Sequence, residues 1–218
     1  APDSEPTEKS AKTSASQHIG AHRSVTAGRV LVAIMLALAV FALYCYYSVQ
    51  QLKHWITPSW DLAIFTQMAQ AYSHFGIPIV QIKGTDFNLW GDHFHPILVL
   101  LGPVYAVSPS PLTLLVVQNF MIAASVYMMV RFTQRACALS NIKPEPAGTF
   151  VGVLLGAAFA LSYGVQQAVA AQFHEVAFAL PFLCGALGNL VLAGRINADE
   201  RSRYIIRACL WAAPLALS

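Results

Sequence analysis

The chain has 218 residues, of which 56% are hydrophobic and only 11% charged, with a formal net charge of +3. So small a polar fraction cannot cover a water-soluble domain of this size, and a helical bundle solvated by lipid is the expected class. The basic residues fall in short separate clusters rather than in a stripe with interleaved aromatics, which excludes nucleic acid as a partner.

Residues 1–27 are rich in Ser, Thr, Ala, Pro, Lys and Glu and carry almost no large apolar groups, so they are expected to form a disordered cytoplasmic tail. An apolar run at 28–47 follows Arg23 and Arg29 and lacks a small-residue cleavage site at its far end, the pattern of a retained membrane anchor. Residues 48–110 read as a large first outer loop. Within it, Pro58-Ser59-Trp60-Asp61 opens an amphipathic helix running to about His74, with Ser59 as N-cap. On a helical wheel, Leu62, Phe65, Met68, Ala69 and Tyr72 form its apolar face and Asp61 falls on the same side.

The apolar stretch His95–Val107 is too short to cross a bilayer and closes at Ser108-Pro109-Ser110-Pro111, so it reads as an interfacial or re-entrant piece. Spans are then expected at 111–130, 147–168 and 176–193. A fifth begins at Tyr204 and breaks off short of the about 20 residues that a crossing needs. With no initiator Met and this short last run, the sequence reads as the N-terminal part of something longer. The expected fold is all-α: a multi-pass transmembrane bundle over 28–218, its first outer loop carrying interfacial helices.

Lys and Arg near the span ends set the orientation. Lys9, Lys12, Arg23 and Arg29 mark the tail, Arg131, Arg135 and Lys143 the 131–146 connection, and Arg195, Arg201 and Arg203 the 194–203 connection. All three are expected inside. The 48–110 loop, with only Lys53 and Lys83, and the turn Gln172-Phe173-His174-Glu175, with no Lys or Arg, are expected to face outward. The third span repeats Gly148, Gly152, Gly156, Ala160 and Gly164 every fourth residue, a stripe that lets helix backbones approach closely and that offers a face to a packing partner.

Three clusters expected on the outer side could carry chemistry. Asp61 is either a carboxylate turned toward the bundle, and so a general base or metal ligand, or a first-turn residue that stabilises the helix dipole. In Asp86-Phe87-Asn88-Leu89-Trp90-Gly91-Asp92-His93-Phe94-His95-Pro96, one carboxylate and two imidazoles fall within four residues, donors that suit zinc or a harder divalent ion, although polar residues at a membrane boundary also snorkel or cap. His174-Glu175 lies between two spans, either as a functional pair or as a structural hydrogen-bonded one. The positive-inside count used none of these residues and puts all of them on one face. No Walker loop, GxSxG, HExxH or GxGxxG pattern occurs, which removes soluble nucleotide chemistry. Cys45, Cys184 and Cys209 lie in apolar runs and Cys137 just past one, with no CxxC, so neither a disulfide framework nor a cysteine metal knuckle is expected.

Taken together, Ser59-Trp60-Asp61-Leu62-Ala63-Ile64-Phe65-Thr66-Gln67, Asp92-His93-Phe94-His95-Pro96, Gln118 and Phe173-His174-Glu175 resemble a family of bacterial predicted membrane proteins, domain of unknown function 2079, over about residues 28–218. That family is grouped with the GT-C glycosyltransferases, which take a sugar from a polyprenyl-phosphate carrier at the outer face of the cell membrane. The resemblance implies a cytoplasmic N-terminus, a large outer loop with interfacial helices, and an Asp soon after the first span as base or metal ligand, a position that Asp61 matches. Asp61 and Glu175 are then the catalytic carboxylates, Asn88, Asp92 and His174 the substrate contacts, and Asp92, His93, His95 and His174 the ligands of a divalent metal ion. The partners implied are membrane lipids and a polyprenyl-phosphate-linked sugar. A transporter or proton pathway would use the same side chains but needs ionisable groups at several depths. A non-catalytic assembly subunit would explain the glycine stripe and leave the outward cluster as coincidence.

Overall fold

The computed structural model describes residues 8–56, 60–92, 94–140 and 145–217, with only the backbone described for 8–25 and Glu145. It is helical throughout, with no strand among the described residues beyond an isolated bridge between Ile79 and Asn88. In chain order the α-helices are α1 (Glu8–His54), α2 (Trp60–Ser73), α3 (Leu101–Val107), α4 (Pro111–Leu139), α5 (Glu145–Ala160), α6 (Tyr163–Ala170), α7 (Ala179–Ala193) and α8 (Ala198–Ala212).

Among the described residues, three segments are long and apolar enough to cross a membrane: Thr26–His54, Pro111–Leu139 and Glu175–Ala193. Pro146–Ala160 and Tyr163–Ala170 meet at 44° and make a fourth if taken as one broken span. Of the stretch expected as a tail, residues from Glu8 on belong to α1. Residues 8–27 continue α1 as helix, and their Ala, Lys, Gln and Glu content is compatible with helix even where nothing apolar can be buried. Residues 1–7 and the expected N-cap Ser59 lie outside the described residues.

The single span expected at 147–168 is broken at Leu161-Ser162. Ser162 is extended, and the carbonyls freed by the break are taken up by side chains: the Tyr44 hydroxyl donates to the Ala160 carbonyl, and Gln166 Nε2 donates to the Leu161 carbonyl at 2.6 Å. In hydrocarbon such groups must find internal partners, so the break persists where these two donors reach it. Residues from 204 onward belong to α8 and a 3₁₀ turn over Ala213–Leu217. They pack back along α7 with Trp211 against Phe182, their rings 6.1 Å apart, but α8 falls short of the length and apolarity of a crossing helix.

The bundle centres on α4. It runs antiparallel to α1, with Asn119 Nδ2 donating to Ser48 Oγ at 3.1 Å near one end and Gln134 Nε2 to the Arg29 carbonyl at 3.2 Å near the other. The small-residue stripe of α5 lies against the same helix. A Cβ built on Gly148 would sit 2.9 Å from Cys137 Cβ, and one on Gly156 would sit 2.6 Å from Val130 Cγ2. The face expected to take a packing partner meets α4. Gly164, beyond the break, has nothing within 4 Å and is not part of the seam. Leu31, Met35, Leu38, Phe150, Leu154 and Leu187 are exposed on the outside of the bundle, a surface that water would penalise and lipid does not.

At the end of the bundle where α1 finishes and α4 begins, the loop folds into a cap. Leu62, Phe65, Met68, Leu89, Leu98, Leu101, Leu114, Phe173 and Phe178 form one buried cluster there. The two segments expected at the interface, 60–74 and 95–107, pack on each other: a Cβ on Gly102 would lie 2.8 Å from the Tyr72 carbonyl, so α3 rests directly on the end of α2.

Candidate functional site

The sequence of α2 explains how Asp61 is presented. Leu62, Phe65, Met68, Ala69 and Tyr72 are buried as the apolar pattern requires, joined by Ile64, and they fix the helix on the cap core. Asp61 is in the first turn, where a carboxylate complements the helix dipole. It lies at the rim of the apolar face rather than inside it, with its side chain 48% exposed, and its Oδ2 is 4.0 Å from His174 Nδ1.

The turn that carries His174 is held from below. Gln118, fully buried in α4, donates from Nε2 to the Gln172 carbonyl at 2.6 Å and accepts at Oε1 from the His174 amide at 2.6 Å. Gln172 takes a left-handed backbone (φ 72°), which reverses the chain between α6 and the 3₁₀ turn Glu175–Phe178. Gln51 of α1 donates to the Ala170 carbonyl at 2.8 Å. Phe173 is fully buried with its ring 5.1 Å from that of Phe65, so α2 and the turn share one packing contact. With Phe173 anchored inward, His174 and Glu175 lie half-buried at the surface.

Glu175 meets the third element. His95, just before the 3₁₀ turn Pro96–Leu100, has its Nε2 3.8 Å from Glu175 Oε1. Two imidazole–carboxylate pairs, Asp61–His174 and Glu175–His95, are therefore joined through adjacent residues of one turn. Both separations are longer than a hydrogen bond and within ion-pair contact, which leaves carboxylate lone pairs available to another donor.

The other described residues of the expected site have contacts of their own. Asp92 pairs with Lys83, whose ammonium also lies 4.9 Å from the Phe87 ring centre. Asn88 caps its own turn, its Oδ1 accepting from the Trp90 amide at 3.1 Å, and Trp90 Nε1 donates to the Tyr72 hydroxyl at 2.5 Å. Burial pushes that Tyr72 hydroxyl above its ordinary range, and the bond from Trp90 pulls it back in part. These contacts fasten the 78–92 loop to α2. His93 lies outside the described residues. Among the described residues no three His, Cys, Asp or Glu side chains are grouped as a metal would require, and a catalytic zinc takes at least three protein ligands.

Gln51 and Asn119 are positioning groups that motif reading passed over. The signal was present in the amides at 118 and 119 inside an otherwise apolar span, since a polar group at that depth needs a partner. Around the cap, Trp55, Trp60, Phe75, Trp90, Phe94 and Tyr163 are exposed, the aromatic belt of a membrane–water boundary.

Neither a curated protein nor a solved structure matches the chain. A family model described as "Predicted membrane protein (DUF2079)" matches residues 51–206, more than two-thirds of the length and including Asp61, His95, Gln118, His174 and Glu175. The chain therefore belongs to this family of predicted membrane proteins.

Proposed function

We propose that the chain is a glycosyltransferase-like membrane protein that moves a sugar from a polyprenyl-phosphate donor to an acceptor hydroxyl at the outer face of the membrane. The observation that carries this reading is the meeting of Asp61 with His174, and of Glu175 with His95, at the end of the bundle opposite Arg131, Arg135 and Arg195. The positive-inside rule puts that arginine-bearing end in the cytoplasm and the cap outside.

Asp61 is the catalytic base. Its half-exposed carboxylate takes the proton of the acceptor hydroxyl as the oxygen attacks the anomeric carbon. The bond from that carbon to the phosphate oxygen breaks, and polyprenyl phosphate leaves with the electron pair. His174 and His95, each beside a carboxylate, donate to the phosphate oxygens, while Glu175 orients His95. A cavity of about 380 Å³ lined by Leu43, Tyr44, Tyr47, Gln166 and Val169 lies between α1 and the broken span, and offers apolar walls for the first isoprene units.

The test is Asp61→Asn in the full chain reconstituted with polyprenyl-phosphate-linked sugars. The expected loss is about 10²-fold or more in transfer with an unchanged melting curve. Full transfer by the folded variant, or no transfer by the wild type from any such donor, overturns the reading.

A further inference from the structure

A second recess lies toward the arginine-bearing end. A cavity of about 460 Å³ opens between α4, α5 and α7, walled by Met129, Phe132, Leu155, Phe159, Leu183 and Leu187. Arg195 is the one charged side chain on its lining among the described residues. Its Nη1 donates to Ser140 Oγ, which holds the guanidinium at the mouth with its other N–H groups available. It pairs with no carboxylate among the described side chains.

Walls this apolar do not retain water, because a water molecule needs two or more polar partners. In a membrane protein the apolar species concentrated around such a recess is the lipid acyl chain. The dimensions agree: along α7 the lining runs from Leu180 to Arg195, roughly 22 Å at 1.5 Å per residue, close to the depth of one leaflet with its headgroups. Charge supplies the rest of the identity, since a basic group at the mouth of a pocket between transmembrane helices selects an anionic headgroup. We propose that this recess binds one acyl chain of an anionic phospholipid whose phosphate is held by Arg195.

Native mass spectrometry of the full chain in detergent, titrated with phosphatidylglycerol and with phosphatidylcholine of matched acyl chains, tests it. One phosphatidylglycerol should bind per chain in preference to phosphatidylcholine. Arg195→Gln should weaken phosphatidylglycerol about fivefold, the factor one basic residue contributes near an anionic lipid, and leave phosphatidylcholine unchanged. Leu187→Trp, placing bulk from an exposed position on the lining, should reduce both lipids while the melting temperature holds. Equal binding of the two lipids, or indifference to both substitutions, overturns the proposal. A dimer that Leu187→Trp dissociates overturns it too, and identifies the recess as an interface between copies.

Discussion

The cap and the crossing helices are held together by different forces. In the cap, α2, α3 and the 173–178 turn bury a continuous apolar cluster around Phe65 and Phe173, as a small water-soluble domain does. Between α4 and α5 the seam is made by glycines, which let Val130 and Cys137 approach the α5 backbone. Lipid tails are as apolar as leucine, so burying apolar surface does not drive helices together inside the bilayer; close packing and amide hydrogen bonds do that work. At the boundary, water is present on one side and the hydrophobic effect returns. The candidate site lies where the two regimes meet, with α2 placed by apolar burial and the His174 turn placed by Gln118.

The sharpest way to break this contrast is to remove a ring from the cap. Phe65→Ala deletes a buried side chain that touches Phe173, and should cost about 3–5 kcal/mol of cap stability. Limited proteolysis should show cleavage within 60–110 while α4, α5 and α7 stay protected. If the crossing helices are lost at the same detergent concentration, cap and bundle are one cooperative unit and the contrast fails. Gln118→Ala removes the other support. It removes the bonds to the Gln172 carbonyl and the His174 amide, at about 1–3 kcal/mol, and should free His174 from Asp61 while Phe65 stays packed. Nuclear magnetic resonance of the His174 ring would report that release, and an unchanged ring environment would show that Phe173 alone sets the turn.

The helices that could be read from sequence were those with a strong period or a long apolar run. The α2 face was legible residue by residue, as was the existence of the spans at 28–47, 111–130 and 176–193, because hydrophobic periodicity and length are local properties. The break at Leu161-Ser162 was not, since one of the two donors that satisfy its carbonyls is the hydroxyl of Tyr44, far away in the chain. Within the cluster, Asp61, His95, His174 and Glu175 were recognisable by residue type. Their pairing was not, because it depends on Gln118 and Gln172 turning the chain. Asn88 and Asp92 carried the same kind of signal as the others, but the turn that Asn88 caps and the meeting of Asp92 with Lys83 depend on how the 78–92 loop folds.

The smallest effect divides the glycine stripe itself, where sequence spacing treats Gly156 and Gly164 alike. Gly156→Ala places a methyl 2.6 Å from Val130 Cγ2 and 3.2 Å from Leu36 Cδ2, so the Val130 side chain must shift and that of Leu36 must give slightly, at about 1–3 kcal/mol. Gly164→Ala meets nothing within 4 Å and lies inside helix α6, where alanine is the better helix former. It should be neutral or stabilise by up to about 1 kcal/mol. Thermal unfolding of the two variants in the same detergent compares them directly. Equal destabilisation would mean that the stripe acts as one face across the break and that α6 continues the α5 seam; opposite signs would confine the seam to α5 and leave α6 to be positioned by Gln51.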